Sequence, residues 1–341
     1  MSEVASEPST RHEDAGKPAP PAKARAGGGL PFDIRLAVLI GVLVLLCLAG
    51  YLSQPDTFLS ESNISTMLRL AAAIGVVSVG MTFVIISGGI DLSVGSLVAL
   101  CSVWMTTLAT QSYGPWVMVL CALLVGLGAG LVNGVLIAYG NIVPFIATLA
   151  MFVSARGLAE RLSGRQTQVV TETGFTTFFR GDLLGIPVLI WMLALVYAVG
   201  WVGLNRTTFG RRTFAVGGNA EAARLAGINI KMHTALVYGI AGLCCGIAAI
   251  MVVTRTTSGA STNGLYYELD AIAAVVIGGT ALTGGRGTLI GTLIGVLIFT
   301  VVNSIFTQNH LETDIQHIAQ GVIIIVAVLL QQFGGTRRRK T

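Results

Sequence analysis

FGRRTFAVGGNAEAARLAGINIKMH, residues 209–233, is the longest polar interruption between apolar segments in this 341-residue chain, and it contains a short helix with its own start and stop. Asn219 can cap that helix by accepting a backbone N–H, Glu221 falls in its first turn, Arg224 in its last, and Gly227 supplies the left-handed residue that ends it. Ala220, Ala222, Ala223, Leu225 and Ala226 leave it small and smooth, and Gly217 and Gly218 lead into it. A helix of about two turns, roughly 10 Å long, flanked by Arg211, Arg212 and Lys231, is shaped to dock into another protein. The same chemistry also describes a capped helix lying on a membrane surface.

The segments on either side decide the class. The chain is 53% hydrophobic and 11% charged, with a mean hydropathy of +0.78, whereas a soluble domain carries roughly 25% charged residues. An all-α integral membrane protein follows. The formal charge of +5 gathers in the N-terminal arm, in the 206–231 region and in Arg337 to Lys340, a pattern that suits anionic lipid and topology better than nucleic acid. Cys47, Cys101, Cys121, Cys244 and Cys245 all sit in apolar runs without paired spacing, so neither disulfides nor a metal frame is indicated.

Residues 1–33 are rich in Pro, Ala and mixed charge and lack the apolar run of a cleavable signal, which predicts a disordered cytoplasmic tail. Ten transmembrane helices are expected between 34 and 333, followed by a basic cytoplasmic tail at 334–341. The spans begin near 34, 66, 92, 115, 144, 185, 234, 269, 288 and 315. The eighth, 269–282, is short and rich in small residues, consistent with a partial or re-entrant span. Arg156, Glu160 and Arg161 near the end of the fifth are placed at an interface, where long side chains snorkel. An even number of spans puts both termini on one side, and lysine and arginine make that side, with 209–233, cytoplasmic.

Two internal echoes bear on architecture. Gly126, Gly130 and Gly134 in the fourth span and Gly287, Gly291 and Gly295 in the ninth share spacing and a closing GVLI, as an inverted repeat of about five helices would leave. GGIDLSVG at 88–95 and GGTALTGG at 278–285 form a second echo at a different offset.

For chemistry, SGGIDLSVG at 87–95 reads either as a tight hairpin, with Gly88 and Gly89 ending one helix and Asp91 capping the next, or as the inner end of a permeation path. Gly88, Gly89, Asp91, Ser93, Asn133, Thr148 and Asn303 are the candidate path residues. The acidic residues Asp91, Glu160, Glu268 and Asp270 fall at predicted span ends, leaving neutral groups in mid-span. That lining suits a hydroxyl-rich solute better than a coupling ion. The chain has no GK[ST] phosphate-loop ending, so no ATP or magnesium is expected on it, and the four scattered histidines have no ligand spacing. No hydrolase or metalloprotease motif suggests an enzyme.

GGIDLSVGS at 88–96, GRRTFAVGGNAEAARLAGIN at 210–229 and IGGTALTGGRGTLIGTLIGVL at 277–297 together closely resemble the permease subunits of ribose-type ATP-binding-cassette sugar importers. The resemblance covers almost the whole chain after the tail and implies a multi-pass protein of the bacterial inner membrane. It implies a second permease subunit, in a homodimer, a cytoplasmic ATPase that holds the ATP and Mg, and an extracytoplasmic sugar-binding protein. It also makes Gly217 to Gly227 the coupling helix that inserts into the ATPase. Permeases for branched-chain amino acids or cobalamin, and ion-coupled carriers, are the competing expectations.

Overall fold

The computed structural model describes residues 32–336, so the tail at 1–31 and residues 337–341 lie outside it. The helices are α1 (Phe32–Ser53), α2 (Pro55–Phe58), α3 (Glu61–Ile86), α4 (Val94–Met105), α5 (Leu108–Gln111), α6 (Pro115–Ala138), α7 (Pro144–Ser163) and α8 (Thr173–Arg180). They continue with α9 (Val188–Arg206), α10 (Thr208–Gly218), α11 (Ala220–Leu225), α12 (Ile230–Thr256), α13 (Tyr267–Ile277), α14 (Leu289–Gln308) and α15 (Thr313–Thr336). Strands are confined to two-residue ladders in the loops, β1 (Gln168–Val169) with β4 (Ser258–Gly259) and β2 (Asp182–Leu183) with β3 (Ile186–Pro187). α15 continues unbroken to Thr336, three residues into the basic tail expected from 334.

Among the described residues, α1, α3, α6, α9, α12 and α14 are long and apolar enough to cross a membrane, and α7 and α15, at 20 and 24 residues, have the length. The other two expected spans do not. α4 has 12 residues and α13 has 11, about 18 and 16 Å at 1.5 Å per residue, roughly half of a 30 Å hydrocarbon core. Sequence hydropathy registers the apolar run but not the non-helical backbone that precedes each helix.

The repeat is visible in the packing. α4 lies on α6 and α7, and α13 lies correspondingly on α14 and α15; α12 crosses over to pack on α4 and α6, while α3 packs on α13 and α14. The two sets of helices thus clasp each other, with α3 and α12 at the centre, 89% and 78% buried over their apolar windows, and α1 peripheral at 6%. The glycine stripes occupy equivalent helices but meet different partners. Gly130 and Gly134 press on Gly242 and Ala235 of α12, whereas Gly291 and Gly295 press on Gly278 and Ala274 of α13. Close approach of this kind, rather than any hydrophobic drive, is what holds helices together in lipid. Exposed Leu and Val side chains on α1, α6 and α9 supply the lipid-facing surface.

Candidate functional site

The breaks before α4 and α13 are related in the same inverted sense. Residues 87–92 leave α3 at the end of the bundle that carries Arg206 to Lys231, called here the basic end, and run inward before α4 begins. Residues 257–266 enter from the opposite end along α4, with Gly259 against Ser102 and Thr106 and Gly264 against Gly95 and Val98. The first turns of the two half-length helices therefore meet inside the bundle, where the Glu268 carboxylate touches Gly95. Discontinuous helices of this type line the binding sites of many transporter folds.

Six of the seven candidate path residues are brought to the first of these breaks. Gly88 adopts the left-handed φ of 88° that ends α3. Gly89 packs on Tyr238, whose hydroxyl donates to the Ile90 carbonyl at 3.3 Å. Asp91 is fully buried, and its Oδ1 accepts from the Ser93 amide at 2.8 Å and the Ser93 hydroxyl at 2.6 Å. Asn133 Nδ2 donates to Ser93 Oγ at 2.9 Å. Thr148 is buried alongside, its hydroxyl donating to Pro144 O at 2.9 Å and reaching toward Ile90 O at 3.5 Å. Asp91 Oδ2 and Asn133 Oδ1 are buried without a hydrogen-bond partner among the described residues, which leaves two acceptors open in a dry environment. Asn303 is elsewhere, on α14, accepting from Gln320 of α15 at 3.1 Å.

The carboxylates expected at membrane interfaces are a correction. Asp91, Glu268 and Asp270 are 0%, 8% and 9% exposed, because the ends of half-length helices fall in the bundle interior, where the positive ends of helix dipoles favour negative groups. The mid-protein lining is thus not confined to neutral groups. Arg156 likewise turns inward rather than snorkelling. Its Nη1 donates to the carbonyls of Ser261 and Asn263, pinning the 257–266 segment, while Nη2 is buried without a partner. Sequence reading placed Arg156 at an interface and passed over Tyr238, which lies in no recognisable motif; only their positions against the breaks single them out.

At the basic end, the local reading of 209–233 is reproduced atom by atom. Asn219 Oδ1 accepts from the Ala222 amide at 3.0 Å, and Gly227 has φ of 82°. Arg224 Nε donates to Glu221 Oε2 at 3.1 Å, an exposed pair of little energetic weight. What the sequence hid is α10. Thr207 caps it, and Thr213 Oγ1 lies 3.1 Å from His233 Nε2 while Phe209 stacks on the His233 ring at 4.7 Å, tying α10 to α12.

Gly217, on α10, is separated from its neighbours in role. A Cβ there would overlap Ile86 O and stand 2.8 Å from Gly285 N; Gly285 N donates to Ile86 O at 2.8 Å, and a Cβ on Gly284 would be 3.0 Å from the Gly88 Cα. The two glycine-rich echoes at 88–95 and 278–285 therefore meet across Gly217, which explains a likeness that no repeat register accommodates. A Cβ on Gly218 would meet nothing within 4 Å. Gly217→Ala should lower stability by about 2–3 kcal/mol, as overpacking against backbone does, and Gly218→Ala should not. Melting temperatures of the two purified variants in detergent check this, with a gap of about 3–4 °C expected between them.

The sequence is similar to those of known proteins over most of its length. Residues 63–328 match the family described as "Branched-chain amino acid transport system / permease component". The chain is 40% identical over 300 residues to the ribose import permease protein of Bacillus subtilis (strain 168), covering 87% of this chain and 92% of that one. It is 37% identical over 318 residues to the L-arabinose ABC transporter permease protein of Azospirillum brasilense, covering 93% and 94%. It is 34% identical over 327 residues to the galactose/methyl galactoside import permease protein of Escherichia coli (strain K12), covering 88% and 95%. No solved structure matches the chain.

Proposed function

Since the chain belongs to the family of branched-chain amino acid transport system permease components, we propose that it is the membrane-spanning subunit of an ATP-binding-cassette importer whose cargo is a monosaccharide. The observation that carries the cargo is the similarity, over about nine-tenths of the chain, to import permeases named for ribose, arabinose and galactose. In this reading an external binding protein delivers the sugar to the end carrying the 53–60, 164–187 and 257–266 loops. A second copy of the chain completes the path, and a cytoplasmic ATPase engages α11.

This chain's part is alternating access without bond chemistry. ATP binding closes the partner, α11 and α10 move with it, and the breaks before α4 and α13 rearrange around the sugar. Movement requires that the ATPase dock α11 with different affinity in its two states. The basic residues of 206–231 set this end, and both termini, on the cytoplasmic side of a bacterial inner membrane. In a docking role, Leu225, which projects from α11 with 76% of its surface exposed, is the apolar contact that the partner covers.

The family's description favours a second cargo, a branched-chain amino acid. Uptake of labelled D-ribose, L-arabinose, D-galactose and L-leucine separates the two in proteoliposomes holding the chain with its ATPase and binding protein. ATP-dependent uptake of at least one sugar and none of leucine is expected; the reverse result sinks the sugar reading.

A further inference from the structure

The break before α13 opens into a cavity of about 220 Å³ lined by Tyr266, Leu269, Asp270, His317, Gln320 and Gly321. Its position follows from the helices around it. Gly278, at the far end of α13, packs on Gly291 in the first turn of α14, so the start of α13 lies about 16 Å in from the basic end, while His317 and Gln320 fall in the first two turns of α15, which starts from the opposite end. Polar and ionisable groups at that depth face a water-filled path or the bundle interior, not lipid.

The lining has the two-sided chemistry that a sugar ring presents. Tyr266 and His317 pack with ring centroids 4.8 Å apart and their planes tilted by 55°, an aromatic corner against which a C–H face can rest. Asp270 is 9% exposed and makes no side-chain hydrogen bond to any described residue, leaving a carboxylate whose two oxygens can accept from neighbouring hydroxyls. Gln320 is held by its bond to Asn303 and lies 3.3 Å from His317 Nδ1, so its amide is oriented before any ligand arrives. Tyr266 holds its place at a φ of 65°, a conformation that a bulky residue adopts only where its surroundings impose it. The volume falls below the roughly 300–1,000 Å³ of drug-sized pockets, which restricts the occupant to a single small ring.

We propose that this cavity is a monosaccharide subsite on the translocation path, with Asp270 and Gln320 bonding ring hydroxyls and Tyr266 and His317 covering one face of the ring. The inference rests on the sugar reading above and adds the residues that touch the cargo. Asn303 thereby acts by positioning Gln320.

The test uses the assembled transporter in proteoliposomes with labelled D-ribose, L-arabinose and D-galactose. Asp270→Asn and Gln320→Leu should each lower sugar uptake at saturating sugar by about tenfold, with ATP hydrolysis and the size-exclusion profile unchanged. A Leu269→Cys variant should react with a charged, membrane-impermeant thiol reagent, and the sugar that is transported should slow that reaction at least threefold. Wild-type rates in both polar variants, or a Leu269→Cys thiol that is unreactive or unprotected, overturn the subsite while sugar uptake by the unaltered transporter keeps the broader reading intact. An unaltered transporter that carries leucine and no sugar removes both.

Discussion

Gly242→Ala is expected to keep this protein from accumulating in the membrane. Gly242 lies on α12 where α6 crosses it, and a Cβ there would overlap Gly126 O and stand 2.8 Å from the Gly130 Cα and 2.9 Å from its amide nitrogen. All of these atoms are backbone, so no rotamer change relieves the clash and the two helices must separate. Separation also undoes the neighbouring contacts of Gly126, Gly134 and Gly246 along the same crossing. Overpacking at one buried point costs about 1–3 kcal/mol; a displacement shared along a whole crossing reaches the upper end of that range or beyond, out of a net stability of only about 5–15 kcal/mol. Gly128, on the open side of α6 with nothing within 4 Å, is the matched control. Gly128→Ala should leave membrane yield unchanged or raise it, since alanine favours the helix by up to about 1 kcal/mol. Quantitative immunoblots of membrane fractions compare the two, and equal yields would refute the account of the α6–α12 crossing.

Leu225→Asp is expected to abolish ATP-driven uptake while leaving the permease folded. Leu225 sits at the end of α11 and is 76% exposed, whereas Ala223, on the opposite side of the helix, is 4% exposed and anchors it. A protruding apolar residue on a short rigid helix is the kind of group that carries a disproportionate share of interface energy, at 2 kcal/mol or more. Forcing a carboxylate into the same contact adds its desolvation cost, so docking weakens by at least about 30-fold, on the scale of 1.4 kcal/mol per tenfold change. Co-purification of the ATPase should fall with uptake, and the melting temperature should not. Retained co-purification with full uptake would return α11 to being a helix that rests on lipid.

The long apolar helices and the capping of the 219–227 helix were legible in the sequence because both are local, whereas the two half-length helices and α10 were not. The Asn219 cap, the Gly227 stop and the long apolar segments depend on residues within a turn or two of one another. The repeat was legible only as a faint echo in the glycines of α6 and α14. What escaped was anything that depends on depth. Asp91, Glu268 and Asp270 stand at helix ends in the sequence as they do in the fold, but hydropathy places a helix end at the membrane surface by default, and these ends lie inside. Arg156 was misplaced for the same reason: its partners are carbonyls 105 and 107 residues away that reach it only because 257–266 re-enters the bundle. Of the candidate path residues, the six that gather around Asp91 were legible as a group because they share a motif or a polar identity. The cavity beside Asp270 was not, since its residues come from two helices with no common pattern.

Backbone contact at Gly217, Gly88 and Gly284 has a mechanical meaning. Three chain segments that lead separately to α4, to α11 and to α14 touch through main-chain atoms, with no flexible side chain between them to absorb displacement. They form a single rigid fulcrum. In the proposed cycle, a push arriving through α10 would reach the segment entering α4 and the one leaving α13 together, gearing the two halves of the repeat to move in step.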